Sequence, residues 1–368
     1  MDKMTHTERV KAVLEGRPVD RIPFIAWGPH LNLEDRNTND FSKAIIAYEN
    51  QHDFDVIKVM QNGLYNTEDF GQVIAEPVNS DDAGFRKSVK YAFNCLDDWM
   101  NVTKKNVFEG AFGREMKSIK AICDYFNGTV PVLPTIFGPM RMLTQLCGYA
   151  PGTGIYQEES FVGEDIMAFI RKHEDAYFHV MEVLTEQIID LMNGFLDMGA
   201  AGFFYCPGGD HTDFCTEEEY YKYIRPYDER ALNAIQGRAW FTMLHVCGMA
   251  NLRMKDMVTL PVQAINWEDQ SPANPSLSEV RAMTDKVLMG GIDRNHDFYG
   301  ANRDKVKSVL RAKVDEAIRQ AGAKLIVSGG CEFNRETTHR FVVWHEVMED
   351  IAAGRSKTWG GGRPRASS

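Results

Sequence analysis

The sequence predicts an α/β protein built as a (β/α)8 TIM barrel. Eight strand-like apolar runs recur along the chain, and from the fourth onward each is followed by a helical pattern. Regular alternation of strand and helix makes a parallel sheet, and eight such units in one chain favour a closed ring over an open doubly wound sheet. With 368 residues, 44% of them hydrophobic, the chain can bury a large core. Length alone fits one large domain or two smaller ones; the periodicity decides for a single domain over residues 1–353.

Residues 5–15 read as a short capped helix closed by Gly16, and Arg17-Pro-Val-Asp20-Arg21 leads into the first strand at 22–27. The second and third strands, 55–60 and 130–137, are separated by 68–127, too polar and too long for a connecting loop, so this stretch is an insertion expected to cap the barrel. One or two long amphipathic helices over 159–198 feed the fourth strand, 200–206. Strands at 239–246, 262–267, 286–291 and 324–328 follow, with helices expected at 217–236, 251–260, 276–284, 302–321 and 336–353. Residues 354–368, rich in Gly, Ser, Arg and Lys, read as a disordered tail.

Forty-one Lys and Arg against 52 Asp and Glu give a net charge of -11. That balance argues against a broad basic face for nucleic acid or anionic lipid, and points to a small molecule or a protein as partner. No apolar run approaches membrane-spanning length and the N-terminus has no apolar signal core, so no membrane association is expected. Seven cysteines, an odd number scattered over a long chain, do not form a disulfide framework. The expected compartment is a reducing cytoplasm, where free thiolates can hold metal.

Three of the soft side chains form a pattern. His245 and Cys247 stand two apart at the end of the fifth strand, and in an extended segment residues i and i+2 point to the same side. Cys331 lies just past the eighth strand, and in a barrel the carboxyl ends of all strands share one face. One imidazole and two thiolates match a catalytic zinc site that keeps a position open for chemistry. Glu268, directly after the sixth strand, leads Asp269 and Asp210 as a candidate fourth ligand.

Other polar residues fall on the same rim and are expected to bind substrate: Lys58 and Gln61 after strand two, Asp210 and His211 after strand four, and Asp293 after strand seven. Asp293 could equally cap the turn after Gly290-Gly291, and Asp210-His211 could cap the following helix. Trp267, with Phe137, Phe203, Phe204 and Tyr205, offers either a stacking wall or core packing. Cys206 ends strand four and reads as structural; Cys95, Cys123, Cys147 and Cys215 read as small apolar fillers.

Several phrases together resemble the uroporphyrinogen decarboxylase superfamily. They are Thr7-Glu-Arg-Val, Gly16-Arg-Pro-Val-Asp20-Arg21-Ile-Pro23, Phe137-Gly138-Pro139, Arg225-Pro226-Tyr227, His245-Val-Cys247-Gly248, Trp267-Glu268-Asp269, Gly290-Gly291-Ile-Asp293 and Gly330-Cys331. Within it the chain is similar to the zinc-dependent, cobalamin-linked branch of the methylcobamide:coenzyme M methyltransferase type. The decarboxylase branch carries an Arg-rich segment after the first strand; here Trp27-Gly-Pro-His-Leu-Asn-Leu-Glu-Asp-Arg36 has a single Arg beside two acids, poor equipment for a polyanion. That branch also usually has His near the position of Cys331.

The resemblance implies methyl transfer between a methylated corrinoid and a small-molecule acceptor, either a thiol or tetrahydrofolate, at a zinc ion held by His245, Cys247 and Cys331. No Asp-x-His-x-x-Gly cobalt-ligand motif occurs in the chain, so the corrinoid would be carried by a separate corrinoid protein. Lys58, Gln61, Asn62, Arg141 and Asn295 could each serve an acceptor's polar groups, and the sequence does not rank them. A cofactor-free decarboxylase and a non-catalytic binding protein are the two alternative readings.

Overall fold

A computed structural model describes residues 4–29, 31, 33–76, 86–150, 155–156, 160–163, 165–300 and 302–358. The chain opens with helix His6–Leu14, started by a capping box in which the Thr5 hydroxyl accepts from the Glu8 N–H and the Glu8 carboxylate accepts from the Thr5 N–H. All eight expected strands occur, six of them in shortened form and the last two shifted by one residue. Seven lie in one parallel sheet ordered Phe24–Ile25, Leu325–Gly329, Val287–Ile292, Ala264–Trp267, Met243–Val246, Phe204–Cys206, Thr135–Phe137. The last strand of the chain pairs in parallel with the first, Phe24 opposite Val327, so the sheet curls as a half-barrel.

The remaining strand, Ile57–Lys58, pairs in parallel with Val132–Leu133. That segment is parted from Thr135–Phe137 by Pro134, which has no N–H to give to a ladder. The Asp55 N–H donates to Phe24 O at 3.0 Å, joining the first strand to the approach of the second. Strands buried along their whole length, such as Val287–Ile292, are the mark of a parallel sheet covered on both faces, and they explain why these runs read as unbroken apolar stretches.

Several helices differ from expectation. The 159–198 pattern resolves into Ile166–Lys172 and Glu174–Asp197. The 217–236 helix is broken by a π-helical turn, Tyr220–Ile224, before Arg225–Ala234 starts with Pro226 in its first turn, a position that needs no N–H. The 251–260 helix shrinks to Met254–Met257, because Asn251 adopts a left-handed backbone and Arg253 is turned inward onto Gly209 O and Cys215 O. The last expected helix is a 3-10 turn, Arg335–Arg340, leading into Phe341–Thr358. That helix runs past residue 354, where the tail was expected to begin: Gly354 costs a helix about 1 kcal/mol relative to Ala but does not stop it. Residues 359–368 lie outside the described residues.

The stretch 68–127 divides in two. Its first part holds the short hairpin Val73–Ile74 with Ser88–Lys90 and the helix Leu96–Met100, and residues 77–85 lie outside the described residues. Its second part is the helix Gly110–Phe126, which packs on the helix Thr38–His52 and buries Phe112, Met116, Ile119 and Ile122. Apolar spacing of three and four residues makes 110–126 a helix that packs on Thr38–His52 and leads to Val132–Leu133. Helices Thr38–His52 and Pro139–Leu146 were not read from the sequence; the first is capped by the Asn37 side chain and the second starts on proline.

The N-terminal phrase builds a buried ion network at the amino ends of the strands. Asp55, fully buried, accepts from Arg9 Nη1 at 2.6 Å, Arg21 Nη1 at 2.5 Å and the Phe24 N–H at 2.9 Å. His6 adds both ring nitrogens, Nδ1 to Asp55 at 3.0 Å and Nε2 to Asp53 at 3.2 Å. Burial works against an imidazolium there, but the hydrogen bonds and charges of Asp53 and Asp55 outweigh it and raise His6 to about 9. A raised pKa contributes stability that is complete below the unfolded value near 6.5 and is lost as pH climbs through about 9. Urea unfolding between pH 6.5 and 9.5 should therefore show a declining midpoint that His6→Asn flattens; an equal decline in the variant would rule His6 out as its source.

Candidate metal centre

His245 is the third residue of strand Met243–Val246 and Cys247 follows the strand directly. Cys331 stands two residues beyond strand Leu325–Gly329. Two strands separate these elements within the sheet, so the three side chains meet across the inside of its curl. Cys331 Sγ is 3.8 Å from His245 Nε2, and the three candidate ligand atoms all lie within 4.8 Å of one another. Zinc–sulfur bonds of about 2.3 Å and zinc–nitrogen bonds of about 2.0 Å set at tetrahedral angles place donors about 3.6–3.8 Å apart. The widest pair needs to close by only about an ångström, so the residues fit a zinc ion.

The imidazole is aimed by Asn266, its cross-strand neighbour. Asn266 Nδ2 donates to Met289 O at 3.1 Å, Gly329 O at 2.9 Å and Ser328 Oγ at 3.3 Å, so its other end must be the oxygen. That Oδ1 lies 2.7 Å from His245 Nδ1, which must therefore carry the proton. The Nε2 lone pair is left facing the two thiols, the tautomer a metal ligand requires. Phe204 lies against the ring with centroids 4.7 Å apart and Trp27 meets it edge-on at 6.1 Å. Replacing Asn266 with Ala should weaken zinc about 10- to 100-fold, read by competition with a chelator; unchanged affinity would show that the ring holds its pose alone.

Cys331 is held well below the usual thiol range, first by the hydrogen bond from Cys247 and, against burial, by the charge of Arg294; Cys247 is correspondingly pushed up. A bound dication would favour the thiolate form of both sulfurs. Gly330 lets the loop cross closely, since a Cβ there would stand 2.3 Å from the Glu268 Cα.

Glu268 is not one of the three clustered donors: its carboxylate accepts from Arg294 Nε at 2.9 Å, while Arg294 Nη1 donates to Glu332 O at 3.0 Å. Asp269, pushed up to about 7 by burial, accepts from the Gly291 N–H at 3.1 Å and pins that strand. Asp210 and His211 brace Cys247 from both sides. Asp210 accepts from the Cys247 N–H at 3.3 Å, and His211 Nε2 donates to Cys247 O at 2.7 Å.

Lys58 Nζ lies 4.7 Å from the centre of the Phe204 ring and 3.0 Å from Met60 Sδ, one ring away from the imidazole. Gln61 turns from the mouth, its Oε1 accepting from the Thr135 N–H at 2.7 Å beyond the Pro134 break. Asp293 caps its turn, accepting from the Asn295 N–H at 2.9 Å and lying 2.7 Å from His296 Nδ1. Trp267 is fully buried and donates to Pro275 O at 2.7 Å, so it is core packing and does not line a stacking wall. Cys206 is a buried thiol pushed up to about 12 and stands outside the cluster. Sequence reasoning missed Asn266 and Arg294; an Asn in the middle of an otherwise apolar strand was the available signal.

The uroporphyrinogen decarboxylase family model matches residues 36–342. The chain belongs to that family. Among its relatives, the methylcobamide:CoM methyltransferase MtbA of Methanosarcina mazei is 21% identical over 331 residues, covering 86% of this chain and 91% of the relative. The protein of the same name from Methanosarcina acetivorans is 22% identical over 344 residues, covering 90% and 93%. Among solved structures, a methyltransferase from Methanosarcina mazei superposes with a TM-score of 0.75 at 16% identity, over 95% of this chain and 99% of that one. A B12-independent methionine synthase from Shewanella sp. W3-18-1 shares the fold more loosely, with a TM-score of 0.54 at 15% identity over 93% and 96% of the two chains.

Proposed function

We propose that this member of the family is a zinc-dependent methyltransferase that moves a methyl group between a corrinoid, borne by a separate corrinoid protein, and a thiol or tetrahydrofolate acceptor. The observation that carries the reading is the convergence of His245, Cys247 and Cys331 within 4.8 Å, with Asn266 fixing the tautomer. A zinc ion supplies, when bound, a redox-inert Lewis acid that holds an acceptor thiol as its thiolate at neutral pH. The remaining work falls to the chain. Asn266 aims the imidazole, Asp210 and His211 fix the Cys247 backbone, and the Arg294 guanidinium, held by Glu268, sets a cation near Cys331. In the forward direction a sulfur–carbon bond forms as the cobalt–carbon bond of the corrinoid substrate breaks, and the electron pair stays with cobalt.

The reading includes closure of the eight strands into a (β/α)8 barrel, supported by the bond from the Asp55 N–H to Phe24 O, and a cytoplasmic setting. All seven cysteines are free, and no helix of the described residues is long and apolar enough to cross a membrane. The decarboxylase alternative has less support. The similar proteins named above are methyltransferases, and Arg36, the single guanidinium of the 27–36 stretch, is taken up by Glu68 at 2.5 Å. Metal analysis combined with a spectroscopic assay of methylcobalamin demethylation, run against a panel of thiols and tetrahydrofolate, tests the proposal. Stoichiometric zinc with acceptor-dependent loss of the methylcobalamin spectrum is expected; bound zinc without spectral change for any acceptor overturns it.

A further inference from the structure

We propose that Arg253 is a positioning residue of the metal centre: it fixes the loop 207–215 against the chain that follows Cys247, and so sets where the Cys247 sulfur stands. The assignment rests on the metal reading and names a further residue of that site. His245 lies inside a strand and is aimed by Asn266, whereas Cys247 is the first residue past the strand end. Its N–H and C=O are taken by the side chains of Asp210 and His211, so its placement follows the loop that carries those two residues.

Arg253 holds that loop by its carbonyls. Its own N–H donates to Asp210 O at 2.8 Å, Nε to Gly209 O at 3.3 Å, and Nη2 to Cys215 O at 2.6 Å and, less closely, to His211 O at 3.4 Å. The side chain is buried, and its guanidinium lies 4.9 Å from the centre of the Tyr220 ring, in the π-helical turn that follows the loop. Buried carbonyls with no ladder to join need donors from elsewhere, and one planar fork supplies several in fixed directions. The same π-helical turn presses on the loop: a Cβ on Gly209 would stand 2.6 Å from Ile224 Cδ1.

Further bonds join the loop to the chain after Cys247. The Thr212 N–H donates to Asn251 O at 2.8 Å, Asn251 Nδ2 donates to Asp213 Oδ2 at 3.1 Å, and His211 pairs with Leu252 in an antiparallel bridge. At Gly248 a Cβ would stand 2.4 Å from His211 Cε1, so the contact leaves no slack beside the ligand. Zinc–sulfur bonds of about 2.3 Å tolerate little displacement, and a loop free to drift by about an ångström carries Cys247 out of the shell. Loss of Arg253 should therefore release one donor of the three and leave His245 and Cys331 in place.

The test uses the full-length protein loaded with Co2+, whose thiolate charge-transfer band grows with the number of sulfurs bound. Arg253→Met should reduce the band to about half, one thiolate in place of two, and lower zinc affinity about 10-fold or more in competition with a chelator. Arg253→Lys keeps the charge without the fork and should lose about threefold or more. Arg225→Met is the control for general damage. Its guanidinium is similarly buried, stands over Tyr221 of the same π-helical turn, and bonds Asp256 O and Thr259 Oγ1, neither of them in the loop 207–215. It should lower the unfolding midpoint comparably and keep the full band. Because Arg253 acts through Cys247, adding Arg253→Met to Cys247→Ser should change zinc affinity by less than about twofold. A native band and affinity in folded Arg253→Met, or the same loss in the Cys247→Ser background or in Arg225→Met, overturns the assignment and leaves the metal reading standing. If Arg253→Met does not fold, a native band and affinity in Arg253→Lys overturns it. A native protein with no thiolate band overturns the metal reading and the assignment together.

Discussion

On the proposed zinc reading, Cys331→Ser should lose metal binding and methyl transfer together. Structural zinc binds with an apparent 10–16 kcal/mol, so one of four ligands accounts for about 3 kcal/mol, more than 100-fold in affinity. A serine hydroxyl stays protonated at neutral pH and cannot supply the thiolate that a zinc ion binds. Dialysis against a metal buffer that leaves the native protein saturated should therefore strip this variant, and acceptor-dependent demethylation should drop by about 1,000-fold or more, in proportion to the metal lost and the ligand missing. Cys206→Ser is the matched control. Its thiol is close to the site and buried, yet lies outside the trio, so zinc should stay near stoichiometric. Retention of zinc by Cys331→Ser, or equal loss by both variants, would remove the basis for the assigned ligand set.

Much of this centre was legible because it depends on rules that act along the chain. The two-residue repeat of an extended strand put His245 and Cys247 on one side, and strand-end position put Cys331 at the same rim. The supporting residues depend on contacts between strands, which no single run of sequence displays. Asn266 matters because it is registered opposite His245 and can reach two further strands, facts available only once the sheet order is known. The same alternation that turns Asn266 inward turns Trp267 outward to Pro275, so counting register from His245 would have removed Trp267 from the stacking wall. Glu268 follows the strand Ala264–Trp267, and Arg294, arriving from the loop after the next strand, takes its carboxylate. Asp210 and His211 sit in a loop, where sequence gives no periodicity, and their bonds to the Cys247 backbone appear only in the structure. Within 68–127, average polarity hid the helical spacing of Phe112, Met116, Ile119 and Ile122, which the structure shows as the helix Gly110–Phe126.

At the opposite end of the strands, Asp55→Ala should produce the largest loss of stability expected from a single substitution away from the metal. The carboxylate has no exposure and accepts from Arg9, Arg21, His6 and the Phe24 N–H. Burial alone would push it toward protonation, but the hydrogen bond of His6 and the charges of Arg21 and Arg9 hold it below the usual carboxylate range. Taking it away removes the counter-charge shared by two buried guanidiniums, leaving Arg9 with Asp20 and Arg21 with the more distant Glu349, a change that costs about 3 kcal/mol, the low end for breaking a buried pair. Against a total stability of about 5–15 kcal/mol that is a large fraction, and it corresponds to a fall in Tm of about 10 °C at about 2–4 °C per kcal/mol. Asp55→Asn keeps the shape and one acceptor while losing the charge, and should fall between the native protein and the alanine variant. Because Asp55 precedes strand Ile57–Lys58 while the metal ligands follow their strands, the folded fraction of either variant should bind zinc as the native protein does. Thermal unfolding and metal content measured on the same samples separate the two ends: a Tm within about 2 °C of native for Asp55→Ala would mean that the network stabilises by less than about 1 kcal/mol and that the N-terminal phrase is held for another reason.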